Sequence, residues 1–539
     1  MAAEPVDRQI RQAMDDHSVA ISEVGEVPEL IFGSVFNAAV AFIDRHVAEG
    51  RGGKVAIRSD SADVSYAELA ERTNRCARVF RDLGVRGGER VIMVIKDRPE
   101  FFYVFWGAIK AGAVPVPINT LLRSDDYRFI LEDSGCTAVI YSPDLAEPVE
   151  VALAGLDNGP KHALTAYGKG SIVDRMQEAP DTIDAAPAAP GDDCFWLYSS
   201  GSTGHPKGVV HAHKDMVYTS ELYAHRVLGV SESDTCFSAG KLFFSYGFGN
   251  AMTFPLWVGA TTVLSEDRPA PDMTFAVIER FRPTIFFGVP TLYAQQLHAM
   301  ETCEVDLSSV EKWASAGEAL PADVYRRWKE KTGIGILDGI GSTEALHIFI
   351  SNRHDDTRPG SSGRPVPGYA HRIVGEDGRP VAQGDVGQLH VKGGSTAKHY
   401  WNNPDKTAES MLGDWLNTGD MYYQDEDGYY VNYGRGDDML KVGGMWCSPF
   451  EIESRLIEHP KVLEAAAVGR ADDEGLIKPE AHVVLNDPAD AGAALEQELR
   501  AHCKEGLAHY KYPRWFRFVD ELPKTATGKI QRFRLRAGT

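Results

Sequence analysis

The stretch Tyr198-Ser199-Ser200-Gly201-Ser202-Thr203-Gly204-His205-Pro206-Lys207-Gly208 constrains the fold more than any other part of the chain. Phe195-Trp196-Leu197-Tyr198 before it reads as a buried strand and Val209-Val210 after it as another, so the loop joins two strands. Glycine lets backbone N–H groups approach an anion closely, the hydroxyls add donors and Lys207 adds charge, which together suit a polyphosphate. In the nucleotide loop G-x-x-x-x-G-K-[ST] the lysine is followed by Ser or Thr and a helix. Here Lys207 is followed by Gly208 and an apolar strand. A flexible Gly/Ser linker has a similar composition. A proline and a lysine at fixed places between apolar strands favour the anion cradle.

Length sets the scale around this loop: 539 residues are enough for three or four domains' worth of structure. A net charge of −21 argues against a general nucleic-acid binder or a polybasic membrane protein. Residues 1–30 carry seven acidic side chains and no apolar core segment, unlike a signal peptide. No apolar run approaches the ~18 residues of a spanning helix. The cysteines, at 76, 136, 194, 236, 303, 447 and 503, form no C-x-x-C pair and read as reduced thiols of a cytoplasmic protein. From Arg500 onward ten basic residues face three acidic ones. A solvated basic face is the ordinary reading of such a run, and contact with phosphate the sharper one.

Helix-like apolar spacing at 65–83 and 99–111 alternates with short strand-like runs at 90–95 and 138–141. Such alternation predicts layered sheets with helices on their faces. Residues 179–193, rich in Ala, Pro and Asp, read as a surface connection into the glycine loop. Gly434-Arg435-Gly436-Asp437-Asp438 interrupts the aromatic run Tyr429-Tyr430-Val431-Asn432-Tyr433 and marks a boundary, with about 100 residues beyond it for a small domain.

Three more polar clusters fall within the larger part. Asp338-Gly339-Ile340-Gly341-Ser342-Thr343-Glu344 follows the apolar Ile334-Gly335-Ile336-Leu337 and reads as a loop at a strand end, where α/β folds hold ligands. Glu344 suits Mg²⁺, which takes carboxylate and phosphate oxygens, although an exposed Glu after a turn is more often a solvated cap. Asn417-Thr418-Gly419-Asp420 offers an acid for a ribose diol, or an ordinary Asx turn. Ser315-Ala316-Gly317-Glu318-Ala319 presents backbone to a purine, or is another turn. Each is weak alone and stronger in combination.

With Pro523-Lys524-Thr525-Ala526-Thr527-Gly528-Lys529-Ile530-Gln531-Arg532 added, the chain resembles the adenylate-forming superfamily of acyl-CoA synthetases, peptide-synthetase adenylation domains and luciferases, from about residue 33 to the C-terminus. Lys241-Leu242-Phe243-Phe244-Ser245-Tyr246-Gly247 and Gly339-Ile340-Gly341-Ser342-Thr343-Glu344-Ala345-Leu346-His347-Ile348-Phe349 look most like benzoate and 4-hydroxybenzoate CoA ligases. The resemblance implies an α/β fold: a large N-terminal domain of layered sheets with flanking helices (1–434), a hinge (435–437) at Asp437, and a small mobile α+β C-terminal domain (438–539). It also implies ATP, CoA and an aromatic carboxylic acid as substrates, with Mg²⁺ as cofactor.

Carried over position by position, Ser199, Ser200, Gly201, Ser202, Thr203, Gly204 and Lys207 meet the β- and γ-phosphates, Thr343 the α-phosphate, and Glu344 the metal. Asp420 binds ribose with help from Arg435; Asp338, Gly339 and the Gly317-Glu318 backbone border adenine. Lys529 bridges the substrate carboxylate and α-phosphate during adenylation. The C-terminal domain then rotates to bring Lys441, Gly443 and Gly444 to the CoA tunnel. Phe244, Ser245, Tyr246, Ile340 and His347 line the acid pocket, with Ser245 or His347 available to a ring hydroxyl, whereas Phe243 reads as core. No Asp in that segment pairs with an α-ammonium, which argues against amino-acid activation.

Other acids such as cinnamate or a medium-chain acid, a luciferase-like oxygenase, and a non-catalytic nucleotide sensor on the same fold remain as alternatives. A peptide-synthetase module would be followed by a carrier domain, and the sequence ends ten residues after Lys529. The Thr527-Gly528-Lys529 turn resembles sites of lysine acetylation in this superfamily, which makes an acetyltransferase and a deacetylase candidate partners. A monomer or homodimer is expected.

Overall fold

The computed structural model describes residues 15–23, 27–199, 206–442, 445–472, 475–524 and 530–537. Ser200, Gly201, Ser202, Thr203, Gly204, Gly443, Gly444 and Lys529 lie outside the described residues.

Local chemistry explains the best-defined helices. Helix Tyr66–Asp82 opens on a capping box in which the Ser65 hydroxyl accepts from Glu68 N and the Glu68 carboxylate accepts from Ser65 N. Leu69, Thr73, Cys76 and Phe80 bury one stripe of it. Pro99 starts helix Pro99–Ala111, and Gly112, at φ 90°, ends it in the left-handed conformation. This second helix is buried all round, with Trp106 and Phe101 fully enclosed. Where the two cross, a β-carbon at Gly107 would lie 2.7 Å from Cys76 Cβ.

Among the described residues the strands form several sheets. A nine-stranded sheet has a parallel centre, in the order Val55–Arg58, Thr261–Val263, Thr235–Ser238, Ile285–Gly288, Lys312–Ser315 and Ile336–Gly341. Antiparallel neighbours flank it on both sides. A four-stranded parallel sheet holds Val114–Pro117, Arg90–Val94, Ala138–Tyr141 and His162–Thr165. Its first three strands read as apolar runs because both faces are covered, whereas His162–Thr165 at the edge is partly exposed. A third sheet joins Asp193–Ser199, Lys207–Ala212 and His399–Tyr400. Antiparallel strands between Ala370 and Arg435 make a fourth.

The strand Tyr430–Arg435 runs into a 3₁₀ turn, Gly436–Asp438, after which the chain builds a separate core. Leu440, Ile452, Leu456, Val462, Ala481, Leu499 and Cys503 fill it beneath strands Val462–Ala471, Ile477–Leu485 and Trp515–Phe518. The molecule is thus mixed α/β, with a large N-terminal part and a small α+β C-terminal part.

One expectation is corrected. The segment from Asp338 to Gly341 is not a loop but the end of strand Ile336–Gly341, where pairing switches from parallel with Lys312–Ser315 to antiparallel with Ile348–Ser351. Its glycines serve close contact and not a turn: β-carbons at 339 and 341 would lie 2.8 Å from Ile350 O and 2.5 Å from His347 O. Asn417-Thr418-Gly419-Asp420 likewise lies inside a strand, Trp415–Gln424. Residues 179–193 run over the surface as expected, except that Asp193 begins the next strand. All seven cysteines are free, and Cys303 is the exposed one.

The Gly107–Cys76 crossing yields a stability prediction. Gly107→Ala overpacks the crossing and costs about 1–3 kcal/mol, read as a lower thermal midpoint. Adding Cys76→Ala restores part of the loss, because it removes the Sγ contact at 2.9 Å and leaves the β-carbon contact at 2.7 Å.

Candidate active site

Register gathers the site. In the nine-stranded sheet Ser238 pairs with Phe287, and Gly288, Ser315 and Asp338 pair in a row. The segments that follow these parallel strands, 239–249, 289–291, 316–318 and, after the antiparallel extension of the last strand, 342–344, therefore lie toward the same edge. That edge, at the carboxyl ends of the strands, is where open α/β sheets bind ligands.

The strands that flank the glycine loop belong to a neighbouring sheet. Its stem is an antiparallel pair with Lys207 opposite Ser199 and Val209 opposite Leu197. Phe195, Trp196, Leu197, Val209 and Val210 are buried and fix the stem. Gly208, the residue that separates this loop from the G-K-[ST] pattern, packs tightly: a β-carbon there would lie 3.3 Å from Trp401 Cβ and from the Tyr198 ring. Trp401 N also donates to Gly208 O at 2.8 Å.

Two ties connect this stem to Thr343 and Glu344. The buried His211 ring faces two acceptors, Asp215 Oδ2 at 2.9 Å through Nδ1 and Thr343 O at 2.8 Å through Nε2. Tyr400, whose strand pairs beside Val209, donates its hydroxyl to Glu344 Oε1 at 2.8 Å. Burial and the neighbouring Glu344 carboxylate push the Tyr400 phenol well above its ordinary value, so it stays a donor. Ala397 N holds the Glu344 carbonyl at 2.7 Å. Neither tie was assigned from sequence. The available signal was His211, a polar residue inside the apolar run Val209-Val210-His211-Ala212.

Asp420 and Arg435 sit opposite each other on adjacent strands, with Arg435 Nη1 3.0 Å from Asp420 Oδ1 and 3.1 Å from Thr418 O. The Asp420 carboxylate holds the Arg435 guanidinium above its ordinary range. Gly317 takes φ 95°, which turns the backbone out of strand Lys312–Ser315. Glu318, expected to offer only backbone, uses its side chain: Oε1 accepts from Ile530 N at 3.1 Å. Asp437 lies in the 3₁₀ turn and Lys441 is exposed on strand Leu440–Val442.

The expected acid pocket is neutral and aromatic. Phe243 is buried in the core, whereas Phe244, Ser245, Tyr246 and Ile340 are half-buried. His347 is buried against the rings of Phe254, Tyr246 and Tyr223, at centroid distances of 4.4, 5.5 and 5.5 Å. Its Nε2 lies 3.1 Å from the Tyr246 carbonyl, and burial lowers its pKa to about 3, so the ring is uncharged. Asp97, also buried, accepts from Leu242 N at 3.2 Å and steadies the turn before the pocket. Sequence reading did not find it, because it lies about 145 residues away.

Models of two protein families match the chain: AMP-binding enzyme over residues 44–401 and AMP-binding enzyme C-terminal domain over residues 451–529. The chain belongs to the AMP-binding enzymes. Among relatives of this AMP-binding enzyme, a benzoate–CoA ligase of Thauera aromatica is 50% identical over 93% of the chain and 96% of its own length. A 4-hydroxybenzoate–CoA/benzoate–CoA ligase of Rhodopseudomonas palustris is 44% identical, covering 94% of each. The solved structure of an anthranilate CoA ligase in complex with anthranoyl-AMP superposes with a TM-score of 0.91 at 42% identity, over 94% of this chain and 98% of that one. A benzoate CoA ligase from Burkholderia xenovorans gives 0.86 at 44% identity, over 93% and 100%.

In this AMP-binding enzyme burial raises the Asp338 carboxyl from 3.8 to about 8. The folded chain keeps that proton through neutrality, while the unfolded chain loses it near pH 4, so unfolding releases a proton in between. Its contribution to stability therefore falls as pH rises from about 4 to about 8, and is constant below. Asp338→Asn removes this dependence: the drop in thermal midpoint between pH 5 and pH 8 is smaller than in the wild type.

Proposed function

We propose that this AMP-binding enzyme is an ATP-dependent aryl-CoA ligase that converts benzoate, and also 4-hydroxybenzoate, to the CoA thioester through an aryl adenylate. The observation that carries the reading is the 50% identity with a benzoate–CoA ligase over nearly the whole chain. The rings of Phe244, Tyr246 and neutral His347 accord with a flat aromatic substrate.

In the first step a carboxylate oxygen attacks the ATP α-phosphorus in line, and the bond to pyrophosphate breaks. Ser199, Ser200, Gly201, Ser202, Thr203, Gly204 and Lys207 hold the leaving β- and γ-phosphates. Thr343 meets the α-phosphate, Asp420 and Arg435 the ribose, and Asp338, Gly339 and the 317–318 backbone the adenine. Lys529 bridges the two anions that must meet, which is electrostatic stabilisation of the kind such transfers need. Glu344, a lone carboxylate steadied by Tyr400, fits Mg²⁺, which takes few protein ligands beside phosphate and water and would neutralise phosphate charge. Among the described residues no three His, Cys, Asp or Glu gather into a protein-only metal cage.

In the second step the CoA sulfur attacks the acyl carbon, the thiol proton is lost and AMP leaves. The chain beyond Asp437 turns so that Lys441, Gly443 and Gly444 replace the Lys529 loop and line the pantetheine path. Among the described residues no helix is long and apolar enough to cross a membrane. We assign the enzyme to the cytoplasm, as a monomer or homodimer, with acetylation of Lys529 as a means of deleting its charge.

The test is a panel of aromatic and aliphatic acids assayed for ATP- and CoA-dependent thioester, with AMP as the nucleotide product; benzoate is expected to lead. Formation of ADP, or preference for an aliphatic acid, overturns the reading. Ser245→Ala narrows the ratio of 4-hydroxybenzoate to benzoate kcat/KM if its hydroxyl meets the ring substituent, and an unchanged ratio removes Ser245 from that role. Lys529→Ala abolishes adenylation, followed as ATP–pyrophosphate exchange, and spares thioester formation from supplied benzoyl adenylate.

A further inference from the structure

One helix face bridges the two parts of the chain. Helix Pro290–Ala299 carries Thr291 and Gln295 one turn apart on the same face. Gln295 Nε2 donates to Glu464 Oε1 at 3.0 Å, and Glu464 Oε2 accepts from Lys524 Nζ at 2.6 Å. Thr291 Oγ1 donates to Glu318 Oε2 at 3.3 Å, and Glu318 Oε1 accepts from Ile530 N at 3.1 Å. Lys524 and Ile530 form an antiparallel bridge, and Gln531 N donates to Pro523 O at 2.7 Å. Residues 524 and 530 are thus the two legs of one hairpin stem. Each leg is held by a carboxylate, and each carboxylate is held by the same helix face.

We propose that Thr291, Gln295 and Glu318 form a dock that seats Glu464 and the paired Lys524 and Ile530 for adenylation and releases them for the thioester step. These are positioning residues, and the proposal rests on the reading of Lys529 as the adenylation lysine. The chemistry suits a reversible contact. Glu464 is buried to 7% exposure and needs both partners, yet Lys524 belongs to its own side of the dock and travels with it. Release therefore strands no buried charge. What is broken includes the hydrogen bonds of Gln295 with Glu464 and of Glu318 with Ile530 N and the attraction of Glu318 for Arg532, polar contacts that water takes over. A greasy interface would not part so easily. An apolar contact adds to the dock, Ile457 against the cluster that contains Leu292 and Leu297.

Gln295 touches no substrate in the proposed site, so it carries the test. Gln295→Glu sets a second carboxylate against Glu464 and is expected to lower benzoate-dependent ATP–pyrophosphate exchange about tenfold in kcat, with KM for ATP and benzoate unchanged. Thioester formation from supplied benzoyl adenylate is not slowed in the same variant. Gln295→Lys, which puts a cation opposite Glu464, shifts the balance the other way and slows thioester formation from benzoyl adenylate several-fold. Equal loss of both half-reactions in Gln295→Glu, or no change in either, overturns the dock. Lys529→Ala measured alongside separates the two ideas. Intact exchange there with selective loss in Gln295→Glu refutes the role of Lys529 and keeps the dock, and the opposite pattern refutes the dock and keeps Lys529.

Discussion

The glycine loop and the acidic Thr343–Glu344 pair come from different sheets, and their relative position depends on two side chains rooted in the loop's own sheet. His211 reaches across to the Thr343 carbonyl and Tyr400 to the Glu344 carboxylate. Both are buried, and so is Asp215 behind His211. Polar groups in such surroundings persist only when paired, since loss of one partner leaves the other desolvated at a cost of about 1–3 kcal/mol. The pairing therefore fixes distance as well as adding stability. Among the described residues these two ties join the sheet of the loop's stem to the turn that carries Thr343 and Glu344.

The loop they hold is under local strain. Leu346 adopts φ 68°, a left-handed conformation that costs a non-glycine residue roughly 1–2 kcal/mol. It is retained because Leu346 N closes a turn onto Thr343 O at 3.0 Å and its side chain is buried at 1% exposure. The same turn sends His347 in the opposite direction, under the acid pocket. There a β-carbon at Gly249 would lie 2.4 Å from His347 Cδ2, so the imidazole fits only because the facing residue is glycine. Thr343 and His347 are thus set relative to each other through one strained residue.

Much of this was readable before any coordinates. The loop stood out as a join between strands because glycines and hydroxyls lay between apolar runs, and helix 99–111 because of its apolar spacing. The misreading of Asp338-Gly339-Ile340-Gly341 has a definite cause. Glycine is a turn signal in sequence, but Gly339 and Gly341 are there to admit a neighbouring backbone, a requirement set by a strand many residues away. Asp97, Tyr400 and Gln295 escaped for the same reason: each acts through a partner distant in sequence, and nothing in its own neighbours marks it out.

The basic C-terminal run shows why charge counting needs geometry. Taken as a number it invited a phosphate ligand. In the fold, Arg532 pairs with Glu453, Arg536 with Asp438, Lys511 with Glu451 and Lys524 with Glu464. Arg517 and Arg470 converge on Glu480, a fully buried carboxylate, at 2.9 Å each. Arg500 takes Glu496, while Lys504 and Arg514 lie over the ring of Tyr512. Most of the excess is therefore spent stapling the small part together, against acids that precede it in sequence.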